Sequence, residues 1–351
     1  MTLLRPTGDA ERDVDAVDAW LSAADAGPVV LATSGSSGAP KQVVLGREAV
    51  LASAAASAAR VEGSGPWVLA LPSSYVAGFN VVLRSLLAGY RPAALGDRSL
   101  AEVTRPGGFL SVVPTQLHRW LDDPAARAAL AELHTVLVGG GPVDASLRSR
   151  AAEAGVRVVA TYGSAETCGG CVYDGLPLDG VGLALAVDGR IRIAGPTLFD
   201  GYLDDEQATR AALVDGWFLT SDAGRLDEDG RLSVLGRVDD MVVSGGVNVP
   251  AAAVAARLRE HPSVAAAEVV GLPDPEWGNR VVAVVSLVEP GRPLLEPVET
   301  LSLDAARDWV AERHPRVWAP RDLVVVPALP MLTNGKVDRL AVRDLAGGVA
   351  R

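Results

Sequence analysis

Short apolar runs alternate with segments of helical periodicity along the first half of the chain. Strands are predicted at residues 29–32, 67–71, 109–113, 135–138 and 156–161, and helices at 10–26, 47–61, 78–89, 115–121, 124–133 and 144–154. This alternation is typical of an α/β fold with a mostly parallel, helix-covered sheet. Ligands of such sheets collect at the carboxyl ends of the strands, so the loops there are expected to face one cleft. These loops begin at Thr33, Ser73, Gly139 and Thr161.

The pattern changes after about Gly180, where short β-rich segments separate many glycine and aspartate turns. Strands predicted at 191–194, 217–221 and 232–235 indicate a β-rich subdomain. Beyond a polar break come strands at 241–244, 268–272, 281–288 and 323–326 and helices at 250–260 and 303–313. The sequence therefore predicts a large N-terminal domain over residues 1–236, a hinge at 237–240 and a small α+β domain over 241–351.

Composition narrows the class of protein. The formal net charge of −11 argues against a nucleic-acid surface, which needs clustered cations. No apolar run approaches the ~20 residues of a membrane-spanning helix, and the N-terminus has no charged-then-apolar leader. We therefore expect a cytoplasmic protein without membrane insertion. The two cysteines, Cys168 and Cys171, form Cys-Gly-Gly-Cys, which fits a redox pair or half of a zinc site.

The chain has only two lysines, Lys41 and Lys336, against thirty arginines, and each lysine lies beside a turn. Lysine carries a compact charge on a flexible stem, which a guanidinium group does not mimic. Lys41 ends the stretch Thr-Ser-Gly-Ser-Ser-Gly-Ala-Pro-Lys, which begins at Thr33. Its glycines and hydroxyls suit phosphate oxygens, while a flexible surface turn is the alternative. It is not a Walker P-loop, because only two residues separate Gly35 from Gly38.

This stretch resembles the phosphate loop of the adenylate-forming superfamily, which contains acyl-CoA synthetases, adenylation domains and luciferases. Further motifs follow in the order of that superfamily and span almost the whole chain. They are Gly139-Gly140-Gly141-Pro142, Thr161-Tyr162-Gly163-Ser164-Ala165-Glu166-Thr167, Thr220-Ser221-Asp222, Gly236-Arg237-Val238-Asp239-Asp240 and Thr333-Asn334-Gly335-Lys336-Val337-Asp338-Arg339. The resemblance implies the fold of that superfamily, N-terminally shortened, with a small mobile C-terminal domain.

The resemblance also implies the first half-reaction, in which a carboxylate attacks the α-phosphate of ATP to give acyl-AMP and pyrophosphate. Lys336 would bridge the carboxylate and the α-phosphate, and Lys41 would hold the β- and γ-phosphates. Glu166, with Thr33, would bind Mg²⁺, a hard cation that prefers oxygen ligands. Tyr162 would stack on adenine. The further ATP contacts implied are Thr33, Ser34, Gly35, Ser36, Ser37, Gly38, Gly140, Gly141, Gly163, Thr167 (at the α-phosphate) and Asp222 (at the ribose).

In the second half-reaction, members of the superfamily rotate the small domain and bring the thiol of coenzyme A to the acyl-adenylate. The resemblance assigns Asp239 to the hinge and Arg237 to a neighbouring catalytic contact with the nucleotide. Gly245 and Gly246 would line the CoA tunnel, where a side chain would block the thiol. The implied cofactors are therefore ATP, Mg²⁺ and coenzyme A.

The segment that begins at Glu166 looks like the short actinobacterial o-succinylbenzoate–CoA ligases of menaquinone biosynthesis. That resemblance implies acyl contacts at Tyr75, Gly78, Arg84, Cys168 and Gly169, with the cysteines as small wall side chains. Arg84 would meet a second carboxylate, because an unpaired buried anion is costly; a helix-surface arginine is the alternative. Ser74-Tyr75 stands where the family usually has histidine, so another aromatic or alicyclic acid stays open as the substrate.

Two other functions stay open. One is an adenylation enzyme that loads a carrier protein, and the other is a nucleotide-binding protein that has lost catalysis. Retention of both lysines, Glu166 and Asp222 speaks against the second. The expected partners are a small carboxylate, ATP and CoA. A shortened N-terminal domain would leave an apolar face, which a second copy of the chain would cover in a homodimer.

Overall fold

The computed structural model describes residues 3–33, 41–288, 301–331 and 337–348, and these fall into two units. The first unit comprises Met1–Thr220 and Leu226–Ser233, and the second comprises Ser221–Arg225 and Val234–Arg351. Within the described ranges, no helix is long and apolar enough to cross a membrane. The domain boundaries proposed from the sequence stay a prediction.

The first unit is built on a sheet whose strand order is β4-β3-β5-β6-β7-β8-β9. Strands β3 to β7 pair in parallel, whereas β8 and β9 are antiparallel additions at one edge. Every residue of β5 and β6 is buried, which explains why these strands are mostly apolar and do not alternate between apolar and polar residues. The predicted mostly parallel α/β sheet is confirmed. Its strands are β3 (Trp67–Leu69), β4 (Ala93–Ala94), β5 (Phe109–Val112), β6 (Thr135–Val138), β7 (Val158–Ser164), β8 (Gly169–Tyr173) and β9 (Leu176–Pro177).

Helices cover both faces of this sheet. Alternate side chains of one strand enter different cores, so that Trp67 packs with α1 to α3 whereas Val68 packs with α4 to α7. Helix α1 ends four residues before the predicted end, and α3 begins and ends two residues early. The helices of the first unit are α1 (Ala10–Ser22), α2 (Arg47–Val61), α3 (Val76–Leu87), α4 (Leu100–Val103), α5 (Pro114–Asp122), α6 (Pro124–Ala131), α7 (Ala145–Glu153) and α8 (Glu206–Ala212).

The stretch that leads to Lys41 belongs to a different sheet. Strands β1 (Val29–Ala32) and β2 (Gln42–Leu45) form an antiparallel pair, and β12 (Gly201–Tyr202) pairs with β2. The expectation that the loop at Thr33 lies at the carboxyl end of the parallel sheet is therefore wrong. It connects a hairpin instead, because the apolar runs on either side of it pair with each other.

The remaining strands of the β-rich region form another sheet, of order β10-β11-β14-β13 with β15 beside β14. The division between the two units passes through β14 and β15. This region agrees with the predicted β-rich subdomain, although β14 continues five residues beyond the predicted strand. Its strands are β10 (Gly182–Leu185), β11 (Arg190–Ala194), β13 (Leu213–Val214), β14 (Trp217–Leu226) and β15 (Leu232–Arg237).

The second unit has α+β architecture, as the sequence predicts. A sheet of order β18-β19-β20 is covered by helices, and β16 and β17 form a separate hairpin. Its core is mostly aliphatic and includes Val254, Val281 and Val310. The elements are β16 (Met241–Ser244), β17 (Val247–Pro250), α9 (Ala251–Arg259), β18 (Val264–Asp274), β19 (Gly278–Leu287), α10 (Leu303–Ala311), β20 (Asp322–Val325) and α11 (Arg339–Gly348).

A buried carboxylate ties α1 to the loop that precedes α3. Asp13 accepts hydrogen bonds from the backbone N–H groups of Thr7 and Gly8 at 2.8 Å and from the Ser73 hydroxyl at 2.6 Å. Burial alone would raise the pKa of Asp13, but these bonds to its charged form outweigh burial and lower the pKa below its ordinary value. The ionised form of Asp13 therefore stabilises the fold.

We expect Asp13→Asn to lower the free energy of unfolding by about 2–4 kcal/mol at pH 7, because an amide cannot accept from all these donors. A depressed pKa contributes stability above the unfolded value of about 4, and that stability is lost as the pH falls through the folded value. The difference between wild type and variant should therefore be constant from about pH 5 to 7 and shrink below about pH 4. Urea unfolding across this pH range measures it.

The matched control is Asp15→Asn. Asp15 pairs with Arg91 at 2.8 Å, but both side chains are exposed, so its loss should cost at most about 1 kcal/mol. Equal effects of the two substitutions would contradict the role assigned to Asp13.

Candidate active site

The two described ends of the glycine-rich stretch are held together. The Thr33 N–H donates to the Lys41 carbonyl at 2.9 Å, and the Lys41 N–H donates to the Thr33 hydroxyl at 3.1 Å. The Thr33 hydroxyl is therefore engaged at the base of the hairpin. The predicted ATP contacts Ser34, Gly35, Ser36, Ser37 and Gly38 lie outside the described residues.

A sharp turn between β7 and β8 presents Glu166. The sequence predicts a strand that ends at Thr161, but β7 continues to Ser164, so Tyr162 and Gly163 lie on a strand and not in a loop. A 3-10 turn, Ala165–Thr167, follows at once. Strands β7 and β8 pair antiparallel with a register shift at Gly163, where a Cβ atom would lie 2.1 Å from the Gly169 carbonyl oxygen. Only glycine fits at residue 163.

Side chains of two helices form hydrogen bonds with Cys168, the residue after this turn. Cys168 has a φ of +53°, an uncommon backbone conformation for a residue other than glycine. Its carbonyl oxygen accepts hydrogen bonds from Asn80 Nδ2 of α3 at 2.8 Å and from the Ser53 hydroxyl of α2 at 3.1 Å. Because all three groups are buried, these bonds are not exchanged with water. They hold the turn that carries Glu166 in one conformation.

Glu166 is a buried anion with a defined neighbourhood. Its Oε1 atom accepts a hydrogen bond from the Tyr202 hydroxyl at 2.8 Å. The ring of Tyr202 in turn lies 4.5 Å from Lys41 Nζ, measured to the ring centroid. Tyr202 therefore links the proposed metal ligand to the proposed phosphate-binding lysine.

The donor set at Glu166 suits magnesium. Mg²⁺ prefers oxygen ligands and is usually bound by one or two carboxylates together with substrate phosphates. The described residues contain no group of three or more histidine, cysteine, aspartate or glutamate side chains that could hold a metal ion.

Thr167 and the glycine turn lie on either side of this region. The Thr167 side chain is fully buried, and its hydroxyl accepts from the Ser164 N–H at 2.9 Å and donates to the Gly169 carbonyl at 2.7 Å. The predicted contact of Thr167 with the α-phosphate stays a prediction. Gly140 and Gly141 follow β6, and the preceding Gly139 packs against the Thr161 hydroxyl, to which a Cβ atom would approach within 2.5 Å.

The two cysteines are buried thiols. Burial raises the pKa of Cys168 to about 12 and that of Cys171 to about 11. Both groups are therefore protonated at neutral pH, whereas redox and metal-binding cysteines act as thiolates. This state agrees with wall side chains beside the turn, and it does not suit a redox pair.

The acyl-contact candidates on α3 are spread along the helix. Tyr75 immediately precedes α3 and is partly exposed, at 43 % of its full area. Gly78 lies in the first turn, where a Cβ atom would approach the Pro72 carbonyl oxygen to 2.2 Å. Gly169 packs in the same way against Asn80 Nδ2. Gly169 and Cys168 therefore both contact the Asn80 side chain, whereas Gly78 packs against the Pro72 backbone.

Arg84 lies almost two turns further along α3 and is nine-tenths buried. The helix-surface alternative is therefore wrong. The guanidinium group is 5.6 Å from the Trp67 ring, and its Nε atom has no hydrogen-bond partner among the described residues. It lines a cavity of about 300 Å³ between α2, α3 and the start of β3, whose other walls are mostly alanine, leucine and valine.

The hinge and tunnel candidates belong to the second unit, as does Asp222. Arg237 forms an exposed ion pair with Asp239 at 3.4 Å. Gly245 and Gly246 form the two-residue turn between β16 and β17, with φ of +57° and +77°, which is the geometry of a type I′ hairpin. A Cβ atom on Gly245 would lie 2.7 Å from the ring of Trp277, whereas one on Gly246 would point into open space.

The catalytic-lysine candidate, Lys336, lies outside the described residues, but its flanks do not. Met331 and Val337 form an antiparallel bridge, and the Asp338 N–H donates to the Pro330 carbonyl at 2.9 Å. Arg339 then bonds to Asp240 of the proposed hinge at 2.7 Å and to Glu268 of β18 at 3.0 Å.

The sequence did not predict the residues that bond to the turn that carries Glu166. Tyr202 lies on a two-residue strand, and Ser53 and Asn80 lie within helices, where a polar residue carries no positional signal. For Asn80 one signal was present, since it is a polar residue in an otherwise apolar helical segment that is buried on most sides.

Comparison with known proteins decides the family. The model of the AMP-binding enzyme family matches residues 9–203, and that of the AMP-binding enzyme C-terminal domain matches residues 253–336. The chain belongs to the AMP-binding enzyme family. The resemblance to the adenylate-forming superfamily is thereby confirmed, and the two family models fall on the first and second units respectively.

Several relatives within the family are described as acting on o-succinylbenzoate. A probable 2-succinylbenzoate–CoA ligase of Mycobacterium tuberculosis is 44 % identical over 332 residues, which cover 91 % of this chain and 85 % of the relative. The o-succinylbenzoate CoA synthetase of Bacillus subtilis, solved in complex with the acyl-adenylate intermediate, is 28 % identical, with a TM-score of 0.73 over 90 % of this chain and 69 % of its own. The same enzyme was solved with ATP and magnesium ion, at 28 % identity and a TM-score of 0.72 over 90 % and 70 % of the two chains.

Proposed function

We propose that this protein is an AMP-forming acid–CoA ligase that converts o-succinylbenzoate to o-succinylbenzoyl-CoA in menaquinone biosynthesis. The acid first attacks the α-phosphate of ATP to give acyl-AMP and pyrophosphate, and the CoA thiol then displaces AMP. The observation that carries the proposal is the 44 % identity over 91 % of the chain to a ligase described as acting on this acid. The geometry of the site supports each half of the reaction.

Adenylation requires two anions to approach each other, so the protein must supply positive charge in fixed positions. Lys41 is suited to the β- and γ-phosphates because it closes the base of the glycine-rich hairpin. Glu166 and Thr33 would hold Mg²⁺, which when bound neutralises phosphate charge as pyrophosphate departs. Lys336 would bridge the reacting carboxylate and the α-phosphate. Tyr162 and Asp222 would hold the adenine and the ribose.

The acyl group would extend into the cavity between α2, α3 and the start of β3, with its second carboxylate at Arg84. The cavity that Arg84 lines is largely apolar, and its unpartnered guanidinium atom offers the cation that a second carboxylate needs. A monocarboxylic acid would leave this charge unpaired. Arg84 therefore favours o-succinylbenzoate over simple aromatic acids.

The second half-reaction would use the second unit. Arg237 and Asp239 are suited to a hinge because their ion pair is exposed and weak, so that it costs little to rearrange. A Cβ atom on Gly246 would point into open space, which is consistent with a wall along which pantetheine passes. CoA as the acceptor is part of the proposal, and a carrier protein is the alternative acceptor.

Pyrophosphate release from ATP tests the function, with o-succinylbenzoate as substrate, with and without CoA. We expect release that depends on the acid, and a thioester only when CoA is present. Release without a thioester on CoA would favour a carrier protein as the acceptor. Release with another aromatic acid but not with o-succinylbenzoate would reject the substrate, and no release with any acid would reject the enzyme.

We expect Arg84→Met to raise KM for o-succinylbenzoate about 10- to 100-fold, because a charged hydrogen bond to the second carboxylate is lost. KM for ATP should not change. Arg91→Met is the matched control, since Arg91 is an exposed arginine shortly after the same helix. An unchanged KM for the acid in Arg84→Met would show that the second carboxylate binds elsewhere.

We expect Lys336→Ala to slow adenylation at least about 100-fold, because the charge that develops between the two reacting anions is no longer neutralised. Thioester formation from supplied acyl-adenylate and CoA should be retained. Lys336→Arg is the companion variant, and it should also fail in adenylation because guanidinium does not replace a compact ammonium. Equal loss in both half-reactions would contradict this division of roles.

A further inference from the structure

Tyr202 is held rigidly between the glycine-rich hairpin and the Glu166 turn. Its strand, β12, pairs with β2, so Tyr202 lies opposite Val43, two residues from Lys41. The Tyr202 N–H donates to the Thr209 hydroxyl at 2.9 Å. The adjacent Gly201 packs directly on Thr209, leaving no room for a Cβ atom there. The backbone of Tyr202 is therefore fixed from both sides.

The ring of Tyr202 is fixed as well. Phe199 packs edge-on against it, with 5.0 Å between the ring centroids, and Phe218 packs edge-on against Phe199 at 5.6 Å. The Phe199 N–H donates to the Glu166 carbonyl at 2.9 Å, which ties this aromatic cluster to the turn. These contacts restrict movement of the ring, whose hydroxyl bonds to the Glu166 carboxylate.

The phenol donates its hydrogen bond to one oxygen of the Glu166 carboxylate. The Tyr202 hydroxyl lies 2.8 Å from Oε1 of Glu166. This bond restrains rotation of the carboxylate and uses one of its four lone pairs, so the remaining lone pairs are left for a divalent cation.

The face of the Tyr202 ring contacts the Lys41 ammonium group. An ammonium group 4.5 Å from an aromatic centroid is attracted to the ring face, and the attraction grows where water is excluded. One side chain thus orients an anion through its hydroxyl and a cation through its ring. The two contacts use different atoms, so they can be removed separately.

Resting on the proposed function, we propose that Tyr202 is a positioning residue for the metal–nucleotide complex. Its hydroxyl orients the Glu166 carboxylate so that one oxygen binds Mg²⁺, and its ring holds the Lys41 ammonium at the position of the nucleotide phosphates. Tyr202 itself touches neither the metal nor the reacting atoms. Removing the hydroxyl should weaken metal-dependent binding alone, and removing the ring should also weaken the binding of metal-free nucleotide.

The test measures the Kd of ATP by calorimetry in the presence of Mg²⁺ and in EDTA, without any acid. Tyr202→Phe should raise the Kd of Mg·ATP about tenfold, the effect of one charged hydrogen bond, and leave the Kd of metal-free ATP unchanged. The Mg²⁺ concentration for half-maximal adenylation should rise in parallel. Tyr202→Leu should raise both Kd values.

Tyr173→Phe is the matched control. Tyr173 is also buried, and its hydroxyl bonds to the Ser57 hydroxyl at 2.7 Å, but that pair does not involve Glu166. This variant should lose comparable thermal stability without any change in Mg²⁺ dependence. In a double-mutant cycle, Tyr202→Phe should have no further effect on Mg·ATP binding once Glu166→Gln is present.

Several results would overturn the proposal. One is a Tyr202→Phe variant that loses only thermal stability, as Tyr173→Phe does. Another is an equal rise in Kd for metal-free and metal-bound ATP, which would mean a general distortion of the nucleotide site. Effects of Tyr202→Phe and Glu166→Gln that simply add would exclude action through the carboxylate. Because these measurements need no acid, they remain decisive if o-succinylbenzoate proves not to be the substrate.

Discussion

The geometry of the first unit depends on keeping one carboxylate anion, that of Glu166, buried and correctly oriented. Removing such a charge from water is costly unless hydrogen bonds and nearby cations compensate for it. Here the Tyr202 hydroxyl supplies the hydrogen bond, and Lys41 lies on the other side of the same ring. The proposed function would add a divalent cation to this carboxylate, with the Lys41 ammonium held nearby on the face of the Tyr202 ring.

Backbone constraints make that orientation possible. The antiparallel strands on either side of the Glu166 turn lie too close at Gly163 for any side chain there, and Cys168 adopts a left-handed conformation. Strain of this kind persists only where the surroundings enforce it. The two buried hydrogen bonds to the Cys168 carbonyl, from Ser53 and Asn80, provide that enforcement. Helices α2 and α3 therefore act on the active site through the backbone, in addition to any contact they make with the acyl group.

Local pattern was enough to predict the parallel sheet, because strands such as β5 and β6 are buried on both faces and are mostly apolar. It was not enough for the hairpin at Thr33, whose sheet is completed by β12, more than 150 residues away in the chain. The resemblance of the ordered motifs to the adenylate-forming superfamily implied the roles of Glu166 and Lys41. Tyr202 connects them only in three dimensions. A two-residue strand is too short to show a hydrophobic periodicity. The position of Tyr202 between Glu166 and Lys41 is therefore visible only in the folded structure.

The unequal use of lysine and arginine follows from what each cation does in this fold. Arginines of the second unit make several directed bonds at once: Arg257 reaches two carboxylates and a carbonyl, and Arg339 joins Asp240 to Glu268. A planar group with several donors is suited to such fixed networks. Adenylyl transfer instead needs a compact charge that can follow oxygens as they move from ATP to pyrophosphate or acyl-AMP. Backbone hydrogen bonds join Thr33 to Lys41, and a bridge joins Met331 to Val337, the described residues on either side of the segment that contains Lys336. At Lys41, a backbone held in place and a flexible side chain allow the charge to move while its anchor does not.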